Sequence, residues 1–99
     1  MGKLVRDRIP EAMRKLGKDP VVRVLAADDY RAALLAKLDE ESAELKAAPE
    51  GELVEEMADV LEVLRAIAAH HDIAWSAVEE TGDRKRRDRG AFADRLYLE

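Results

Sequence analysis

The chain reads as an all-α protein, built on an antiparallel helical hairpin followed by a third helix. Three observations predict this. Ala, Leu, Glu, Arg and Lys dominate a sequence with only four aromatic residues, Tyr30, Trp75, Phe92 and Tyr97. Apolar residues recur at helical spacing in two long stretches, with a short Pro49-Glu50-Gly51 break between them. There is no cysteine to suggest a disulfide-stapled or thiolate-metal fold instead.

Taken in order, KLVRDRIPEAMRKLGKDP predicts an extended lead-in and then a brief helix, with Pro10 in its first turn and Gly17 and Pro20 ending it. The β-branched stretch VVRVL at 21–25 predicts extended chain with no partner strand. Asp28 is the expected cap of a long helix running to about Ala48. A second long helix is expected from about Glu52 to Ala69 or His70, then a turn at His71-Asp72. A further helix follows from roughly Ala74 to Asp88, weakened by Gly82 and ended by Gly90. The tail AFADRLYLE carries Phe92, Leu96, Tyr97 and Leu98, which are expected to pack back on the body.

Ninety-nine residues predict one domain, 1–99, and a chain this short favours sharing its core in an oligomer. Charged residues make up 39% of the chain, yet 47% is hydrophobic, which argues against disorder. A net charge of −5 argues against general nucleic-acid binding, so no nucleic-acid partner is expected. The longest apolar run, AALLA at 32–36, is too short to span a membrane. Lys3, Arg6, Asp7 and Arg8 at the amino end do not fit a signal peptide, and a cytoplasmic location is expected.

One position breaks the amphipathic pattern. Leu34, Leu38, Glu41 and Leu45 form a single i, i+4, i+7, i+11 stripe, so a carboxylate stands where a core residue belongs. Glu44 follows Glu41 by three residues. The next helix repeats the arrangement, with Glu56 heading the stripe Val60, Val63, Ile67 and Asp59 three residues on. Folding the chain at Glu50 sets Glu41 level with Asp59, and Glu44 level with Glu56. Four converging carboxylates repel one another unless a cation is present, and an all-oxygen cluster suits Mg²⁺ or Mn²⁺. In so charged a chain, the same residues also fit a solvated face.

Glu40 lies four residues before Glu44. It fits a general base or a ligand of a second ion, and equally a surface residue paired with Lys37. A di-iron centre would need Glu-x-x-His on two helices. Ile67 and Ala68 precede His70 and His71 by three residues, so that pattern is not met, and the histidines fit a helix end. Arg84, Lys85, Arg86, Arg87 and Arg89 complement the dipole at a helix carboxyl end, or else clamp phosphate.

KLDEESAEL followed by EEMADVLEVL resembles the E-x-x-E, spacer, E-x-x-D signature of the MazG-like, all-α nucleoside triphosphate pyrophosphatases. Glu41, Glu44, Glu56 and Asp59 meet that signature. KLVRDRIPE and KRRDRGAF further resemble the phosphoribosyl-ATP pyrophosphohydrolase-like members. Where such proteins commonly carry a glycine before the last helix, this chain has His71-Asp72, and GAF stands for the more usual GGF.

The resemblance implies that the four acids bind Mg²⁺ and that water hydrolyses a triphosphate to the monophosphate and pyrophosphate. Glu41 or Glu40 would help to remove the water's proton. By position, Lys37, Lys85, Arg89 and Arg6 are the implied phosphate contacts. The resemblance also implies a homodimer or homotetramer in which helices of two chains complete a four-helix-type bundle around each site. A non-catalytic helical oligomer that binds a nucleotide or a partner is the alternative.

Overall fold

The computed structural model describes residues 2–99 and contains four α-helices, with no strand among those residues. α1 spans Ile9–Lys15, α2 Ala27–Ala47, α3 Leu53–His70 and α4 Trp75–Arg89, and a 3-10 turn at Glu50–Glu52 leads into α3. The all-helical expectation holds. Residues up to Ile67 form one compact unit, and Ala68–Glu99 a second.

In the first unit, Pro10 sits in the opening turn of α1, where its missing N–H costs nothing. Gly17 then turns the chain at φ 83°, a region open to glycine without strain. Residues 21–25 are irregular, with Val21 and Val24 fully exposed. α2 begins one residue before the expected cap. Ala26 occupies the N-cap position without any side-chain cap hydrogen bond, and Asp28 lies inside the first turn beside Asp29. There both carboxylates still complement the positive end of the helix dipole.

The apolar stripes fall as the spacing predicts. Leu34 and Glu41 are buried on α2 with Leu38 and Leu45 half-buried, while on α3 Val63 is buried with Glu56, Val60 and Ile67 half-buried. The core these stripes make is thin, and no large side chain among the described residues is wholly enclosed. A second stripe on α3, formed by Val54, Met57, Leu61 and Leu64, is open to solvent, with Val54 80% exposed.

In the second unit, α3 ends at His70, and the rings of His70 and His71 meet edge to face with centroids 5.1 Å apart. The turn bonds back on the last residues of α3, from the Ile73 N–H to the Ala68 carbonyl at 2.8 Å. Asp72 takes φ 55° in this turn, a left-handed conformation that a short polar side chain tolerates. Gly90 ends α4 at φ 81° and donates its N–H to the Arg86 carbonyl. The tail departs from expectation. Phe92, Leu96, Tyr97 and Leu98 are each about nine-tenths exposed or more, so they bury nothing. Without a contiguous helical turn to hold them, ordering four side chains gains too little apolar contact to repay its entropy. No helix is long and apolar enough to cross a membrane.

Candidate metal centre

The short connection after Ala47 folds α3 back along α2, and the paired acids meet on the facing stripes. Carboxylate oxygens of Glu41, Glu56 and Asp59 all lie within 4.8 Å of one another. Glu41 is 7% exposed, the only buried charged residue among those described. Its Oε1 accepts from the Lys37 ammonium at 3.2 Å. Its Oε2 is buried with no hydrogen-bond partner, and so is Oε2 of Glu56. Buried carboxylate oxygens are nearly always satisfied, so two orphans on members of one acidic cluster call for a donor or a cation.

Glu44, the fourth acid of the expected set, is exposed at the rim of this trio. Its pKa is raised above the ordinary carboxylate value, first by the charge of Glu41 and next by contact with that same carboxylate. Glu56 is also raised, first by desolvation and then by the charges of Asp59 and Glu41. Crowded negative charge leads at Glu44, whereas at Glu56 burial leads and crowding adds to it.

Three cations from this unit approach the cluster. Burial opposes the charge on Lys37, but the carboxylates of Glu41 and Glu40 outweigh it and hold its pKa above the usual lysine value. Lys37 also lies 3.5 Å from Glu40. Arg6 donates from Nη2 to Asp59 Oδ1 at 2.7 Å. Lys3 reaches Glu40 Oε1 at 3.4 Å. The extended amino-terminal segment is thus pinned to α2 through Lys3 and to α3 through Arg6. Lys3 was not among the residues the spacing singled out. The signal was present in the cations of KLVR, but nothing local says which acid each will meet.

Lys85 and Arg89 are exposed on α4, in the second unit. The last turn of that helix carries Arg86, Arg87 and Arg89, where cations complement the negative end of the dipole. Neither histidine joins the carboxylate trio.

Fold and site together define a class: a helical hairpin whose facing stripes hold an acidic cluster able to take a metal ion. The pattern of phosphoribosyl-ATP pyrophosphohydrolase matches residues 8–86. The chain therefore belongs to the phosphoribosyl-ATP pyrophosphohydrolase family. The match encloses Lys37, Glu40, all four paired acids and Lys85, while Lys3, Arg6 and Arg89 fall outside it. A curated protein of Mycolicibacterium smegmatis (strain ATCC 700084 / mc(2)155), described as uncharacterized, is 65% identical over 48 residues. That overlap is 48% of this chain and 49% of the relative, so the match spans about half of each. No solved structure matches the chain.

Proposed function

We propose that the protein is a Mg²⁺-dependent nucleotide pyrophosphohydrolase, with Mn²⁺ as a possible substitute ion. The reading rests above all on the two buried, unpartnered oxygens of Glu41 and Glu56 beside Asp59. A hard divalent cation fits them, because it wants oxygen donors and neutralises the charge that raises Glu44 and Glu56. Family membership supports the reaction type.

Glu41, Glu44, Glu56 and Asp59 hold the ion. When bound, it draws charge from the phosphate oxygens and polarises the attacking water. Glu40 or Glu41 accepts a proton from that water. Glu40 is held in place by its ion pairs with Lys3 and Lys37. The water oxygen forms a bond to phosphorus as the bridging P–O bond breaks, giving a nucleoside monophosphate and pyrophosphate. Lys37 and Arg6 supply positive charge to the phosphates, and Lys85 and Arg89 are the further phosphate contacts that the family resemblance implies. A housekeeping role on unwanted nucleotides, or a step in nucleotide metabolism, fits this chemistry and a cytoplasmic setting.

The protein works as a homodimer or homotetramer in this reading. The open stripe of Val54, Met57, Leu61 and Leu64 supports it, since a thin core beside an exposed apolar helix face fits a bundle shared between chains. Leu61→Glu should lower the mass seen by sedimentation.

The test is a panel of canonical and modified nucleoside triphosphates, with phosphoribosyl-ATP, assayed for pyrophosphate with and without Mg²⁺. Metal-dependent release that is lost in Glu41→Gln is expected. Silence across the panel, or full activity in that variant, overturns the proposal. The Arg6–Asp59 ion pair favours one other reading, a binding oligomer whose charge is already compensated from within. Tight Mg²⁺-nucleotide binding in calorimetry without turnover would select it.

A further inference from the structure

A cavity of about 300 Å³ runs along the hairpin from the acid cluster, wholly within the first unit. Its α2 wall is Tyr30, Leu34, Lys37 and Glu41, one continuous stripe. Its α3 wall is Asp59, Glu62, Val63 and Ala66. Leu4 to Asp7 of the pinned amino-terminal segment line it as well.

The chemistry changes along this length. Glu41 and Asp59 belong to the acid cluster, and Lys37 and Glu62 follow one turn further from the connection. Leu34 and Ala66 come next, and Tyr30 stands furthest from the acids on its helix. Eleven residues of helix separate Glu41 from Tyr30, roughly 16 Å at about 1.5 Å per residue. The volume is at the lower limit of the roughly 300–1,000 Å³ usual for small-molecule sites. A cavity with phosphate chemistry at one end and an aromatic, apolar end about 16 Å away suits one elongated molecule that is charged at one end and flat at the other.

We infer that this cavity is the nucleoside half of the substrate site. The base lies against Tyr30 between Leu34 and Ala66, and the Glu62 carboxylate accepts hydrogen bonds from the sugar hydroxyls. The inference rests on the pyrophosphohydrolase reading of the acid cluster, which fixes the phosphate end. The apolar end offers the base a stacking surface, whereas Glu62 makes the sugar the part that is read. A nucleotide is thus recognised by carrying a ribose and a planar base, with pyrophosphate alone confined to the acid end.

The test uses AMP, 2′-deoxy-AMP, 3′-deoxy-AMP and inorganic pyrophosphate, each with Mg²⁺, titrated into the full-length protein. Affinities come from calorimetry, and methyl resonances of Leu34 and Val63 report location. AMP should move both sets of resonances, and pyrophosphate should leave Leu34 unmoved. Tyr30→Leu should weaken AMP roughly fivefold or more, with Tyr30→Phe retaining affinity, because stacking needs only the ring. At least one deoxy analogue should bind about fivefold more weakly than AMP, and the difference should collapse in Glu62→Gln, an exposed position safe for folding. AMP that leaves Leu34 and Val63 unmoved overturns the inference. So do deoxy analogues equal to AMP, or a folded Tyr30→Leu with unchanged affinity. These readouts do not need turnover. Pyrophosphate release without AMP in the cavity removes the inference alone, and AMP in the cavity without release removes only the hydrolytic reading.

Discussion

Replacing Glu41 with Gln should make the metal-free protein more stable and the Mg²⁺-loaded protein less so. Two effects oppose each other without metal. The Lys37 ammonium, 3.2 Å from Oε1, loses a charged partner but can still donate to the amide oxygen, which costs about 1 kcal/mol. Against this, the orphaned Oε2 becomes an NH₂ group that can donate to a neighbouring carboxylate, a gain of roughly 1–3 kcal/mol. Unit charges within 4.8 Å of each other repel by about 3 kcal/mol at an effective dielectric near 20. Asp59 is one-third exposed and already paired with Arg6, so relief of its repulsion adds only about 1 kcal/mol.

The net gain is about 1–3 kcal/mol, or an increase in Tm on the order of 5–15 °C for a domain of this size. Ion at a hundredfold above its Kd stabilises wild type by about 2.7 kcal/mol, and the variant, lacking a ligand, should forfeit most of it. Thermal melts with chelator and with millimolar Mg²⁺ should therefore cross. A variant that is less stable in chelator and responds to Mg²⁺ as wild type does would show that Glu41 is an ordinary buried partner of Lys37. The metal-site reasoning would then fail.

Four further outcomes follow from the same charges and turns. Glu44 and Glu56 have pKa values raised above 4.5, so the native state binds more protons than the unfolded one just above that pH. Metal-free stability should thus fall as pH rises from about 4.5 through the raised values, while saturating Mg²⁺ at neutral pH restores it; urea midpoints over that range decide. Lys37 has the opposite placement on the scale, since its raised pKa adds stability that is complete below 10.5 and lost only as pH climbs through the raised value. Arg6→Gln should tighten Mg²⁺ binding several-fold in calorimetry, because Asp59 loses its internal counter-ion at 2.7 Å, and should raise KM for the nucleotide by a similar factor. Looser metal binding would assign Arg6 to holding the site together instead. Asp72→Gly should stabilise the turn before α4 by up to about 1 kcal/mol, since φ 55° suits glycine better, and an unchanged denaturation midpoint would show that the aspartate meets no strain there.

Much of the helical layout follows from local rules. Helix ends at Lys15, Ala47 and Arg89 lie within two residues of the Gly17, Pro49 and Gly90 signals that predict them, and α3 ends at His70, where the His71-Asp72 turn is expected. The Asp28 cap is the exception, because a cap depends on the backbone angle at one residue, and Ala26 adopts it here. The tail differs for another reason. Hydrophobic residues in Phe92–Leu98 say that burial would be favourable, but not that a surface exists to receive them.

The site divides along the same line. Spacing on two helices and a short connection are enough to bring Glu41, Glu56 and Asp59 together, since a helix repeats every 3.6 residues and a tight hairpin pairs positions about its midpoint. Glu44 shares that spacing, yet one turn nearer the connection it stands at the rim, exposed. Lys3 and Arg6 reach Glu40 and Asp59 across 37 and 53 residues of chain, and no periodic rule spans an irregular segment. The acids were therefore legible in the sequence because regular helices carry them. Lys37 shares a helix face with Glu41 and is legible for the same reason. The pairings of Lys3 and Arg6, and the cavity that their segment lines, arise instead from where an irregular segment of chain lies, which long-range packing alone settles.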